Sequence, residues 1–410
     1  MNAPKIKGCC QKLLALRLET QGVCVRSPCE QSRYPSKEGH LITKARSSND
    51  FDRLEQVDGL RTIAILWVVL FHYAVFWTPS GRGDALLPYG DALNWIPMAS
   101  VGYFGVYLFF VVSGFVISLN LGRSRGPLDF ALLRGIRLWP TLLMCGTLTF
   151  ALTTLLGPSE LERSVAEYLI SLTFVPPAHI GKIVGQDGLE WLDGAYWSLW
   201  TEVRFYTVAA VLFFLGRGRF LALWFGFAMF CSAIFLLGTF QGGIFDALSR
   251  LLFAEHQPYF SAGVALAALR QDRRNRLALI LLAIAILQAF SYAVLATKNG
   301  VTPAHIVGLT FIFVVTSYAM LARRSFPLLS ARPMVLGGYA SYAYYLLHQN
   351  AGLALLELFS SNLPIPSVVV MVLVQAFLLV FSVVLTLRVE APLRRLMRQR
   401  VRTRLVTAKP

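Results

Sequence analysis

Ten apolar stretches constrain this chain more than any other feature: 60–78, 102–121, 138–157, 196–215, 219–238, 250–269, 276–296, 303–322, 337–358 and 366–388. Each is close to the ~20 residues that a helix needs to cross ~30 Å of hydrocarbon. Inside lipid a backbone must satisfy its own hydrogen bonds, which leaves helices and closed barrels. None of the runs alternates as a barrel strand does. The expectation is an all-α, polytopic membrane helix bundle of about ten transmembrane helices over residues 59–390. A chain that is 56% hydrophobic and 15% charged is not a soluble domain.

Charge placement sets the expected orientation. A net charge of +16 could suggest nucleic acid, but the positive residues alternate loop by loop. Loops around 122–137, 216–219, 270–276 and 323–332 carry thirteen Lys and Arg; the loops between them carry five, Arg82, Arg163, Lys182, Arg250 and Lys298. The positive-inside rule puts the rich loops and both termini in the cytoplasm. The expected setting is a cell membrane, bacterial inner or plasma, with the lipid bilayer as partner and no nucleic acid. The basic tail at 391–410 suits anionic lipid.

The same alternation decides a doubtful segment. Residues 164–176 are apolar but too short to span, and counting them would place the tails on opposite sides. Residues 158–195 therefore read as one external excursion, with 164–176 re-entrant or on the surface. Residues 1–58 are polar and basic and read as a disordered tail. No signal peptide is expected, because the first apolar stretch is the first span. Cys9, Cys10, Cys24 and Cys29 fit no zinc spacing, and a cytoplasmic tail disfavours disulfides. No Walker A, HExxH or GxSxG run and no internal repeat occurs, and no metal is expected.

Polar residues inside apolar helices are costly and mark function. Arg61 and His72 share the first span, VDGLRTIAILWVVLFHYAVFW. Eleven positions at about 100° each bring them to within roughly 20° of one face, about 16 Å apart along the axis. With the topology above, His72, Glu202 and His348 reach one layer, at depths of roughly 16–20 Å from the cytoplasmic side. Histidine with a carboxylate is the commonest acid–base arrangement: the carboxylate orients the ring while the other nitrogen takes a proton. Helix–helix hydrogen bonding accounts for such residues equally well one at a time. Ser198, Gln349 and Asn350 lie slightly further out, and Ser198 suits an interhelical bond better than a nucleophile.

At the cytoplasmic edge, Arg134 and Arg137 share a helix face, with Arg61 at the same level. Guanidiniums bind phosphate oxygens in bidentate fashion, so the three suit a phosphorylated ligand; ordinary positive-inside charge is the other explanation. In the excursion, GQDGLEWLDGAYW sets Asp187, Glu190 and Asp193 around Trp191. That would suit a sugar acceptor, but a solvated loop with an interfacial Trp is the better explanation.

These residues together resemble the integral-membrane acyltransferase family 3. Its Arg, ten residues, then His in the first span matches Arg61 to His72. Its Arg-x-x-Arg pair matches Arg134 and Arg137. GVYLFFVVSGFVIS resembles its second span, WSLWTEVRFY its WSLxxExxFY with Trp197, Ser198, Glu202 and Tyr206, and SYAYYLLHQN its late SYxxYLxH. The resemblance runs in consistent order over about 51–390. It implies transfer of an acyl group, acetyl as the first expectation, from acyl-CoA to a hydroxyl of a glycan, lipid-linked saccharide or other acceptor. Arg61, Arg134 and Arg137 would meet the CoA phosphates. His72 would act at the thioester or the acceptor, with Glu202 as its partner and Ser198, Tyr206 and His348 in support. Without a hydrolase-like domain after the last span, direct transfer inside the bundle is expected. The alternative is a transporter or flippase for an acylated lipid or saccharide, which would use intramembrane charges without needing a CoA site.

Overall fold

The computed structural model of the chain describes residues 49–81, 83–216, 218–296, 300–322, 324 and 326–407, the side chains of 49–54, 296 and 402–407 excepted. The four cysteines of the N-terminal tail, and Arg82, Arg217, Lys298 and Arg323, lie outside those residues. Along the chain come α1 (Asn49–Phe71), α2 (Phe104–Leu121), α3 (Pro127–Leu156), α4 (Val165–Ser171), α5 (Pro177–Val184), α6 (Trp197–Leu215), α7 (Phe220–Gln241) and α8 (Gly243–Leu251). Then follow α9 (Gln257–Gln271), α10 (Arg276–Ala296), α11 (Pro303–Leu321), α12 (Arg332–Leu347), α13 (Asn350–Asn362), α14 (Ser367–Leu385) and α15 (Ala391–Thr407). Among the described residues there is no strand.

Eight helices among the described residues are long and apolar enough to cross a membrane. They carry eight of the ten predicted spans. The third starts earlier than its hydropathy, because Pro127 sets the first turn of α3 and its Asp129 carboxylate accepts the Arg125 N–H. Arg134 and Arg137 are therefore helical residues, not loop cations.

The two other predicted spans take different forms. In 250–269, a turn over 252–256, which carries the polar Glu255 and His256, divides α8 from α9. The 15-residue α9 is an interior helix, buried from Gln257 through Ala267 and packed against α2, α7, α10 and α11. A Cβ on Gly114 of α2 would stand 2.3 Å from the Phe260 carbonyl, and one on Gly263 2.1 Å from that of Val111, so the α2–α9 crossing requires glycine on both helices. In 337–358, the helix breaks at His348–Gln349 into α12 and α13. Helix α12 lies so close to α1 that a Cβ on Gly338 would overlap the Asp58 carbonyl at 2.0 Å.

The excursion is a folded unit. Ser164 and Glu167 form a capping box that starts α4. Glu167 also accepts the Glu190 N–H at 2.8 Å, and Arg163 pairs with Glu190 at 2.6 Å while donating to the Trp191 carbonyl. The segment 164–176 thus becomes one short helix and a turn, as its length required.

Candidate active site

Both predicted histidines sit where a helix departs from regularity. His72 is the first residue of the π-turn His72–Phe76 that continues α1, and His348 caps the C-terminus of α12 as the first residue of the α12–α13 break. Such defects recur at functional sites, because they re-aim a side chain and free backbone groups. The rings meet edge to face with centroids 5.1 Å apart.

Their hydrogen bonds fix the tautomers. His348 Nδ1 is 2.7 Å from the Tyr345 carbonyl, which only accepts, so Nδ1 carries the proton and Nε2 is an acceptor. His72 Nδ1 lies 2.9 Å from the Val68 carbonyl and 3.4 Å from His348 Nε2. Two acceptors face that nitrogen, so it too carries the proton. The neutral His72 ring then keeps its Nε2 lone pair for a third party. His348 is wholly buried, whereas His72 is half-buried.

The helix break is held from five sides. The His348 carbonyl accepts from the Tyr73 hydroxyl at 2.7 Å and from Gln375 Nε2 at 3.2 Å. The Leu346 carbonyl accepts from Tyr196 at 3.2 Å and Thr149 at 3.4 Å. The N-terminus of α13 is met by the Asp193 carboxylate, which accepts the Asn350 N–H at 2.8 Å and also that of Ala195 at 2.8 Å. A carboxylate at a helix N-terminus is favoured by the dipole, by up to about 2 kcal/mol when partly buried. Burial nevertheless raises the Asp193 carboxyl to about 7, the two N–H donors offsetting only part of that cost. Asp193 is therefore a buried cap and Glu190 is paired with Arg163, so two of the three carboxylates around Trp191 are committed to structure, while Asp187 is exposed.

A cavity of about 70 Å³ opens between α1, α2, α3, α6 and α12. Arg61, Arg137, Ser198 and Glu202 all line it, but the two histidines do not. Arg61 is fixed by Asp58 at 2.9 Å. The Glu202 carboxylate accepts from Ser113 at 2.6 Å and from the Tyr206 hydroxyl. Ser198 and Tyr345 bond each other at 2.8 Å, so the serine is an interhelical bridge. Tyr345 links cavity to histidines, its ring lying 5.5 Å from that of His348.

Arg134 is separated from this group. It lines an apolar groove of about 520 Å³ between α3 and α6, with its guanidinium 5.5 Å over Phe130 and 6.0 Å over Tyr206. Its Nε and Nη1 are buried without a partner. Tyr206 is the partition, lining the groove with its ring while its hydroxyl bonds Glu202 on the cavity side.

The structure thus joins His72 to His348, and Arg61 and Arg137 to Glu202, Ser198 and, through its hydroxyl, Tyr206. No direct bond links His72 to Glu202 among the described contacts. Sequence reasoning missed Tyr73, Tyr196 and Gln375, and it singled out Asp193 without its role as the cap of α13. Gln375 had a signal, as a lone amide in the apolar run SVVVMVLVQAFLLV.

The profile of a family described as an acyltransferase domain, acyltransferase 3, matches residues 54–387. A curated relative, an O-acetyl transferase of Shigella phage Sf6, is 27% identical over 168 residues, 40% of this chain and 45% of that protein. The chain therefore spans less than half of that relative's length. No solved structure matches the chain.

Proposed function

Because the chain belongs to the integral-membrane acyltransferase 3 family, we propose that it is a membrane O-acyltransferase that moves an acyl group, acetyl in the first instance, from cytosolic acyl-CoA to a hydroxyl of a glycan or glycan-lipid. The observation that carries the chemistry is the open Nε2 of His72, its other nitrogen being tied to Val68 and His348. The acceptor hydroxyl oxygen attacks the thioester carbonyl, and His72 Nε2 takes the hydroxyl proton. The C–O bond forms, the C–S bond breaks, and the imidazolium returns the proton to the leaving thiolate. General-base catalysis of this kind contributes about 10²–10⁴-fold.

Arg61 and Arg137 receive the CoA phosphates at the basic end of the bundle, with Arg134 as a further donor beside the apolar groove. Glu202 acts across the cavity, offsetting charge on the guanidiniums and the imidazolium; ring orientation falls to His348. The same charge logic makes the protein a multi-pass resident of the cell membrane with cytoplasmic termini. Transfer of radiolabelled acetyl from acetyl-CoA into glycan and lipid fractions of expressing membranes tests the reading. Label should appear with the native chain and fall about 10³-fold in His72→Ala, on the general-base scale. Full transfer by His72→Ala overturns the assignment. Unchanged CoA affinity in Arg61→Ala with Arg137→Ala favours the transporter alternative.

A further inference from the structure

A second cavity, about 750 Å³, opens between α5, α6 and α8 at the end of the bundle that carries the excursion. Its size is within the ~300–1,000 Å³ of small-molecule sites. Helix α6 is a wall shared by the two cavities. Trp197, Trp200, Thr201 and Arg204, spaced i, i+3, i+4 and i+7, line the large one, while Ser198, Leu199 and Glu202 line the small one. The rings of Phe110, which lines the small cavity, and of Trp197 and His256, which line the large one, pack together where the two approach, with centroids 5.2–6.4 Å apart.

We infer that this vestibule is the acceptor site and holds the sugar ring of a saccharide. The inference rests on the acyltransferase reading above. A sugar presents one C–H-rich face and a rim of hydroxyls, so it needs an aromatic plane beside mixed donors and acceptors. The vestibule supplies two indoles, with Glu255, His179 and Lys182 around them. His256 Nδ1 is buried there without a partner, a polar atom that a ligand hydroxyl would satisfy. A phosphate-rich ligand fits less well, because the guanidiniums are spent. Arg204 donates to the carbonyls of Trp200, Arg250 and Leu251 and to Thr201, and Arg250 pairs with Asp246. The acceptor hydroxyl would pass the Phe110–Trp197 contact to reach the small cavity and the histidines, while CoA approaches from the opposite end.

The experiment follows radiolabelled acetyl from acetyl-CoA in native membranes. Three variants are compared with the native chain: Trp200→Ala, Glu255→Gln and Ala247→Trp, the last adding bulk from an exposed position on the vestibule wall. Label is counted in the aqueous glycan fraction, the lipid-linked saccharide fraction, sugar-free lipid and protein, alongside CoA affinity. The expected result is a loss of saccharide label of about tenfold or more in all three, through a raised acceptor KM, with CoA affinity within twofold of native. The saccharide fraction that loses label tells free glycan from lipid-linked glycan. Native rates of saccharide labelling in the variants overturn the assignment, as does vestibule-sensitive label that resides in sugar-free lipid or protein. Absence of both acetyl transfer and CoA binding in the native chain overturns the acyltransferase reading itself, and the vestibule assignment with it.

Discussion

His72 and His348 touch, yet the protein treats them differently. His348 is enclosed, with one nitrogen given to the Tyr345 carbonyl and the other facing His72. His72 is half-buried and has one nitrogen uncommitted. The irregularities behind them differ as well. A single π-turn at His72 shifts the ring and leaves the helix continuous, whereas the break at His348 frees backbone groups that need outside partners. Two identical side chains in one contact thus differ in what they leave open, one keeping a ring nitrogen uncommitted and the other having both engaged, and their hydrogen-bond partners make the difference.

Replacing each histidine is the most direct way to break that comparison. His72→Ala should show the largest loss, about 10³-fold in transfer rate, at unchanged CoA affinity. His348→Ala should cost less, about 10–100-fold, as the loss of an orienting partner does, and should move the pH profile of kcat because the His72 Nδ1–H keeps only one of its two acceptors. Equal losses with superimposable pH profiles would erase the distinction between them.

Asp193 tests whether the break needs its cap. Asp193→Ala leaves two buried N–H groups without an acceptor and should destabilise the solubilised protein by about 2–4 kcal/mol, read as the thermal midpoint. Its pH dependence has a definite sign. The folded carboxyl titrates at about 7, above its ordinary value of 3.8, so the folded state holds this proton longer than the unfolded state. The stability associated with it is complete below about pH 4 and is lost as pH rises to about 7 and beyond, by up to about 4 kcal/mol at 1.36 kcal/mol per unit. Asp193→Asn should flatten that slope; a slope unchanged in Asp193→Asn would assign it to other groups. The smallest effect is expected of Tyr73→Phe. It removes one of two donors to the His348 carbonyl, costs about 1 kcal/mol, and lowers transfer a few-fold.

Much of the helical architecture was legible, because spanning length and apolar composition are local properties. The face of α6 could be read from spacing alone, since Ser198 and Glu202 stand one turn apart and Trp197, Trp200, Thr201 and Arg204 form the neighbouring stripe. What was not legible depends on distant partners. Hydropathy treats HQN at 348–350 as a polar notch in one span. The break appears only because Tyr73 and Gln375 reach the His348 carbonyl, and Asp193 reaches Asn350 from 157 positions away. The Arg134–Arg137 pair shows the same limit. Three residues apart, they share a helix face in outline, but Tyr206 stands between their environments and sends one to the cavity and the other to the groove.

The break also bears on how the protein is made. Its carbonyls and N–H groups have no water to turn to within a bilayer, so they stay unsettled until their partners exist. Tyr73, Thr149, Asp193 and Tyr196 are synthesised before His348, but Gln375 follows it on α14. The last of these donors therefore arrives only once α14 has followed α13 out of the ribosome. A nascent chain stopped after α13 would carry both histidines while lacking the residue that completes their setting. The setting of the two histidines is in this sense completed only after both have been made, in an order written into the gene.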